Sequence, residues 1–174
     1  MKLQILIPQY KETEEVIKPL LDSIEIQQNI DIKNEIGVII VNDGTDIHLS
    51  QDFLNRYSYP IEYYLNEHKG VSATRNACLD YATADYVMFC DADDMFYNAC
   101  GLYIIFREIN NGGFDSLTSV FIEETRDPIS KMPIYINHDM DSTFVHGKVH
   151  RRQYLIDNNI RWNDNLTIHE DSYF

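Results

Sequence analysis

Three apolar runs constrain this chain more than any other feature: Leu3 to Ile7, Gly37 to Val41 and Tyr86 to Cys90. Each is short, rich in branched or aromatic residues, and stops abruptly at polar ones. Runs of that kind read as strands buried on both faces. Between them the period changes. Val16, Leu20 and Ile24, with Ile17 and Leu21 beside them, have the i, i+4 spacing of a helix with one buried face. Pro19 within it predicts either a start near Glu15 or a kink. A short helix is expected over 49–57, a strand over 61–65, and a helix over 71–82 that Gly70 precedes. Another helix, over 102–109, is stopped by Asn111-Gly112-Gly113. Strand and helix in alternation predict an α/β fold: a mostly parallel sheet with helices on both faces. The rest is less regular. A strand is expected over 114–123, a loop over 128–133, a short strand over 135–137, and a helix over 149–158.

In such sheets ligands bind beyond the carboxyl ends of the strands. Here three strand ends carry unusual residues: Pro8-Gln9-Tyr10, Asn42-Asp43-Gly44-Thr45 and Asp91-Ala92-Asp93-Asp94. The last group matters most. Three carboxylates within four positions repel one another unless a cation or a proton sits among them. Hard oxygen ligands suit Mg²⁺ or Mn²⁺, which proteins commonly share with substrate phosphates. A metal-dependent site for a phosphorylated ligand is therefore expected. A solvated acidic turn is the plain alternative. Another is a phosphatase or phosphotransferase in which Asp91 attacks phosphorus.

Charge narrows the partners. The 174 residues carry 28 acidic against 14 basic side chains, a net charge of -14. A broad nucleic-acid footprint or attraction to anionic lipid is disfavoured, since both need clustered Lys and Arg. A nucleotide whose phosphates reach the protein through a divalent cation is not. Cys78, Cys90 and Cys100 show no C-x-x-C spacing and read as small hydrophobes in a reducing compartment. No window approaches the ~18 apolar residues of a membrane span, and the strand pattern begins too early for a leader. A cytoplasmic protein without a transmembrane segment is expected, any association with the membrane being left to parts beyond this chain.

The segments Ile7-Pro8-Gln9-Tyr10, Val41-Asn42-Asp43-Gly44-Thr45, Gly70 to Asn76 and Asp91-Ala92-Asp93-Asp94 resemble, in order and spacing, those of the family 2 glycosyltransferases. His146 to Arg152 and His169-Glu170-Asp171 are similar to further segments of that family. The resemblance implies an inverting enzyme of the GT-A fold using a nucleotide-sugar donor, with a UDP-sugar the first expectation. It implies a single domain over 1–174. Residues 1–100 would form the nucleotide-sugar-binding half and 101–174 an incomplete acceptor-side half.

Residue by residue, the resemblance implies that Asp43 accepts a hydrogen bond from the donor's base. Pro8 and Tyr10 would line the base pocket, and Glu12 would belong to the same wall. Arg75 would lie near the nucleotide or brace the acidic loop. Asp91 would contact ribose or metal, beside Ala92. Asp91 and Asp93 would hold Mn²⁺ or Mg²⁺, with Asp94 assisting. Asp171, supported by Glu170, would be the general base toward an acceptor hydroxyl on a carbohydrate or glycolipid, in surface polysaccharide or glycan synthesis. His146 and His150 receive no role. Lys148, Arg151 and Arg152 suit diphosphate, an acidic acceptor or a solvated helix face. The chain ends three residues beyond Asp171, so the expectation is a C-terminally truncated GT-A domain in which nothing later fixes that carboxylate. Donor binding would be kept and transfer weakened or lost, leaving a non-catalytic nucleotide-sugar-binding fragment as a further alternative.

Overall fold

The computed structural model describes residues 1–139, 143–166, 171 and 174. Its centre is a six-stranded, mostly parallel sheet. β1 (Leu3–Gln9) lies in the middle, with β2 (Ile36–Asp43) on one side and β3 (Ile61–Asn66) beyond it. The chain then crosses to the other side of β1 as β4 (Tyr86–Phe89). β5 (Ser116–Thr118) forms the far edge. β6 (Phe121–Arg126) and β7 (Pro133–His138) pair as a separate antiparallel ribbon. β8 (Lys148–Arg151) inserts antiparallel between β4 and β5.

The helices follow from the same pattern. α1 (Glu14–Glu25) buries Ile17, Leu20, Leu21 and Ile24, while Val16 and Pro19 face solvent. The helix passes through Pro19 on its exposed side, where a missing N–H costs least. α2 (Ile32–Glu35) and α3 (Gln51–Leu54) are single turns. α4 (Val71–Tyr81), α5 (Gly101–Asn111) and α6 (Arg152–Asp157) complete the set.

Alternation along each strand sends side chains into two cores. Leu3, Ile5 and Ile7 of β1 join α1 and α5 on one face. Leu6 joins Ile39, Val41, Phe89, Cys78 and Trp162 on the other. This double burial is why the strands carry uninterrupted apolar runs. One buried polar residue supports the layout: Gln4 accepts the N–H groups of Thr83 (2.7 Å) and Ala84 (2.8 Å), which sets the entry of β4 beside β1. Among the described residues no helix is long and apolar enough to cross a membrane.

Two expectations are corrected. Residues 114–123 are not one strand: β5 ends at Thr118 and β6 starts at Phe121. Residues 149–158 are not one helix, because Val149, His150 and Arg151 belong to β8 and α6 starts at Arg152. Lys148 and Arg151 therefore lie on a strand rather than on a helix face.

His150 sits opposite Val87 in that strand pairing, buried, edge-on to Phe174, its Nε2 without a hydrogen-bond partner among the described residues. Burial, and to a lesser extent Lys148, pushes its pKa down to about 4. Above pH ~6.5 the imidazole is neutral in folded and unfolded chains alike. Below that, only the unfolded chain takes up the proton until the pH reaches about 4. This residue should therefore remove about 3 kcal/mol of stability as pH falls from 6.5 to 4, at about 1.4 kcal/mol per unit. Urea denaturation at several pH values should show a shallower acid slope for His150→Phe than for the parent.

Candidate active site

The carboxyl ends of β1, β2 and β4 open onto one cleft of about 400 Å³. It lies where the chain reverses from the β2–β3 side of β1 to the β4 side, the place at which open α/β sheets leave a crevice. Pro8, Tyr10, Glu12, Asp43, Arg75, Asp91, Ala92 and Asp93, the residues singled out in the sequence for donor and metal, all line it.

Each wall is fixed locally. At the end of β1, Gln9 donates from Nε2 to the Glu12 carbonyl (2.7 Å), and the Glu12 carboxylate accepts the Tyr10 N–H (2.7 Å). At the end of β2, Asn42 accepts the Thr45 N–H (2.8 Å) and donates to the Ile47 carbonyl (2.8 Å), holding the turn after Asp43. That turn needs Gly44: at φ +69° a Cβ would stand 2.3 Å from the backbone nitrogen of His68. Asp43 is buried and accepts three hydrogen bonds from the loop before α4. They come from the Lys69 N–H (2.7 Å), the Gly70 N–H (3.0 Å) and His68 Nδ1 (2.9 Å). His68, which the sequence reading passed over, stacks on Tyr10 with ring centres 4.8 Å apart and so makes the second half of an aromatic wall. Its place just beyond β3, at the carboxyl edge of the sheet, was the available signal.

Arg75, on α4, is almost wholly buried, and its guanidinium spans two carboxylates. Nη2 donates to Asp91 (2.8 Å) and Nη1 to Asp171 (2.8 Å). The same group lies 4.5 Å over the ring of Trp162. Only a planar fork of donors can hold two acids in this way. Asp171 is thereby tied to the edge of the cleft although 96 residues separate it from Arg75. Beyond Asp171, Phe174 stacks flat on Trp162, 4.4 Å between ring centres. His169 and Glu170 lie outside the described residues.

Three ligand atoms from Asp91, Asp94 and His146 fall within 4.8 Å of one another. Asp94 Oδ2 meets His146 Nδ1 at 3.1 Å and accepts the Asp91 N–H at 3.2 Å. The hydrogen bond to Asp94, and then the charges of Asp94, Asp91 and Asp171, raise the pKa of His146 against the opposing effect of burial. Two carboxylates and an imidazole at this spacing fit a small divalent cation. Asp93 is exposed on the cleft wall beside them and stands outside that triad.

A sequence profile described as Glycosyl transferase family 2 matches residues 4–168. The chain belongs to glycosyl transferase family 2. It is 25% identical over 191 residues, the whole of this chain and 32% of the other, to the poly(ribitol-phosphate) beta-N-acetylglucosaminyltransferase TarS of Staphylococcus aureus (strain Mu50 / ATCC 700699). It is 35% identical over 96 residues, 53% of this chain and 13% of the other, to the glycosyltransferase GlyA of Streptococcus pneumoniae serotype 4. The crystal structure of S. aureus TarS 1-349 in complex with UDP superposes with a TM-score of 0.73 at 23% identity, covering 99% of this chain and 53% of that one. The mannosyltransferase PcManGT from Pyrobaculum calidifontis, in complex with GDP-Man and Mn²⁺, gives 0.68 at 15%, over 98% of this chain and 50% of that one. The fold is thus GT-A, and the chain spans 13 to 32% of the length of these curated relatives.

Replacing Arg75 with Met would leave two acidic groups facing each other without their shared cation. Breaking a buried pair of this kind typically costs about 3 kcal/mol. Arg75→Lys should recover only part of that, because an ammonium cannot reach both acids with a fork. Equilibrium urea unfolding of the two variants measures the difference.

Proposed function

We propose that this family 2 member binds a nucleotide-diphospho-sugar, a UDP-sugar in the first instance, and transfers the sugar with inversion to an acceptor hydroxyl. The observation that carries this reading is the opening of Asp43, Asp91 and Asp93 onto one cleft, with Arg75 in its wall joining Asp91 to Asp171. A nucleotide needs an aromatic face, a base-edge acceptor and a place for diphosphate. An inverting displacement needs one further carboxylate on the acceptor side.

Tyr10 and His68, with Pro8 and Glu12 beside them, supply the aromatic wall. Asp43 already accepts three donors, and a carboxylate has about four lone-pair sites. One site remains to accept an imide N–H, which favours uracil. Asp91, with Ala92 beside it, would meet the ribose or the diphosphate. Asp91 and Asp93, together with Asp94 and His146, are the groups that would hold Mn²⁺ or Mg²⁺. When bound, such an ion stabilises the charge that develops on the departing nucleoside diphosphate. Asp171, held in place by Arg75, takes the proton of the attacking hydroxyl. In this reading residues 1–100 bind the donor and residues 101–174 form the acceptor side.

The relatives support a carbohydrate-bearing surface polymer or glycolipid as the acceptor class: TarS is named for a poly(ribitol-phosphate), and GgaB of Bacillus subtilis, 27% identical over 142 residues, for minor teichoic acid. Three free thiols, two of them buried, suit a reducing cytoplasm.

A thermal-shift screen of nucleoside diphosphates and their sugars, with and without Mn²⁺, tests the donor side. Stabilisation by UDP that grows with Mn²⁺ is expected; no response to any nucleotide contradicts the reading. Asp171→Asn tests the chemistry. It should leave UDP affinity within about threefold while lowering turnover by about a hundredfold or more, the usual scale for a lost general base. Unchanged turnover would remove Asp171 from that role.

A further inference from the structure

We propose that Asn76 is a positioning residue for the transfer, acting through Trp162 and Arg75 on Asp171. The inference rests on the reading of Asp171 as the base, and adds to it the device that holds the base in place.

Asn76 follows Arg75 on α4 and is buried, yet it faces away from the cleft walls. Its side-chain amide is fully engaged by one distant segment. Oδ1 accepts the Trp162 N–H (2.9 Å), and Nδ2 donates to the Trp162 carbonyl (2.9 Å) and to Asp164 (2.8 Å). Reading both the N–H and the C=O of one residue fixes that residue's backbone in position and in rotation. Only an amide side chain carries the donor and the acceptor this needs. One turn further along α4, Asp80 accepts two hydrogen bonds from Arg161. This helix face therefore clamps residues 161–164 as a unit.

The clamp matters because of what rests on Trp162. Its ring has the Arg75 guanidinium over it at 4.5 Å, Phe174 stacked on it, and Phe89 against it edge-on. Of the described contacts of Asp171 and Phe174, two bear on Trp162: Asp171 on Arg75, whose guanidinium lies over its ring, and Phe174 stacked on it. Asp171 also accepts the Val145 N–H (3.4 Å), and Phe174 also meets Phe89 and His150. Loosening the Trp162 backbone would let the ring shift, and the Arg75 fork with it. An error of about 1 Å in a reacting group can cost about a hundredfold in rate. Asn76 touches neither nucleotide wall nor the acidic triad, so donor affinity should survive its loss.

Trp162 is the single tryptophan of the chain, so its fluorescence reports on the clamp without any assay of turnover. The experiment compares the parent, Asn76→Ala, Asn76→Asp and the exchange Asn76→Asp with Asp164→Asn. UDP release from UDP-GlcNAc with Mn²⁺ gives kcat and KM, and acrylamide quenching gives the exposure of Trp162. Asn76→Ala should lower kcat about tenfold or more, leave KM within about twofold, and make Trp162 clearly more quenchable. The exchange restores the bond between positions 76 and 164 with donor and acceptor reversed but leaves the Trp162 carbonyl without its donor, so its kcat should lie between those of Asn76→Asp and the parent. A folded Asn76→Ala variant with parental kcat, or with KM raised as much as kcat falls, overturns the proposal. So does an exchange variant that folds but is no faster than Asn76→Asp. Should the parent itself release no UDP, the transferase reading fails instead. The clamp is then judged by quenching alone, where parental values in Asn76→Ala overturn it.

Discussion

A buried guanidinium holding two carboxylates is the interaction on which this site depends. Arg75 connects Asp91, at the end of β4, to Asp171, near the end of the chain, and no other described side chain spans both. Such a charge is tolerated in a core only when its donors are met and its plane is covered. Here the two acids meet the two terminal nitrogens and Trp162 covers the plane. The grip in turn fixes where α4 must lie, because the helix has to present Arg75 to the cleft and Cys78 and Leu79 to the sheet. One face of α4 thus serves packing and the neighbouring face serves the site.

The acidic balance of the chain acquires a meaning from the same geometry. With a net charge of -14, the protein has little long-range attraction for a free diphosphate. The cleft itself offers Asp91 and Asp93 to any ligand that enters, with Asp94 close behind. In the proposed reading a divalent cation would turn that repulsive wall into a binding one. His146 offers a ligand atom beside Asp91 and Asp94, so a cation held there would link β4 to the loop before β8.

The strands around the cleft were legible in the sequence because a doubly buried strand must be apolar throughout. Polar residues at its carboxyl end, such as Asp43 or Asp91, therefore stand out and point to the crevice. The later half of the chain was not legible to the same degree. Val149, His150 and Arg151 carry no period long enough to separate a short strand from the first turn of α6. They become a strand only because β4 and β5 offer edges on both sides. Likewise Ser119 and Val120, which divide β5 from β6, leave no compositional mark. The roles of His68, His146 and Trp162 arise from meetings across the fold. His146 reaches Asp94 over 52 positions and Trp162 reaches Asn76 over 86. No local pattern encodes such distances. Asp43 shows the reverse case: its position was evident, but the loop of residues 68–70 that it organises was not.

In the proposed reading Asp43, Asp91 and the carboxylate of Asp171 surround a single reaction centre. The most direct measurement is the anomalous diffraction signal of manganese from crystals of this chain grown with UDP and MnCl₂. The account predicts one manganese peak among Asp91, Asp94 and His146, touching the diphosphate, with the uracil between Tyr10 and the edge of Asp43. A peak elsewhere on the molecule, or a nucleotide seated away from that cleft, would contradict it.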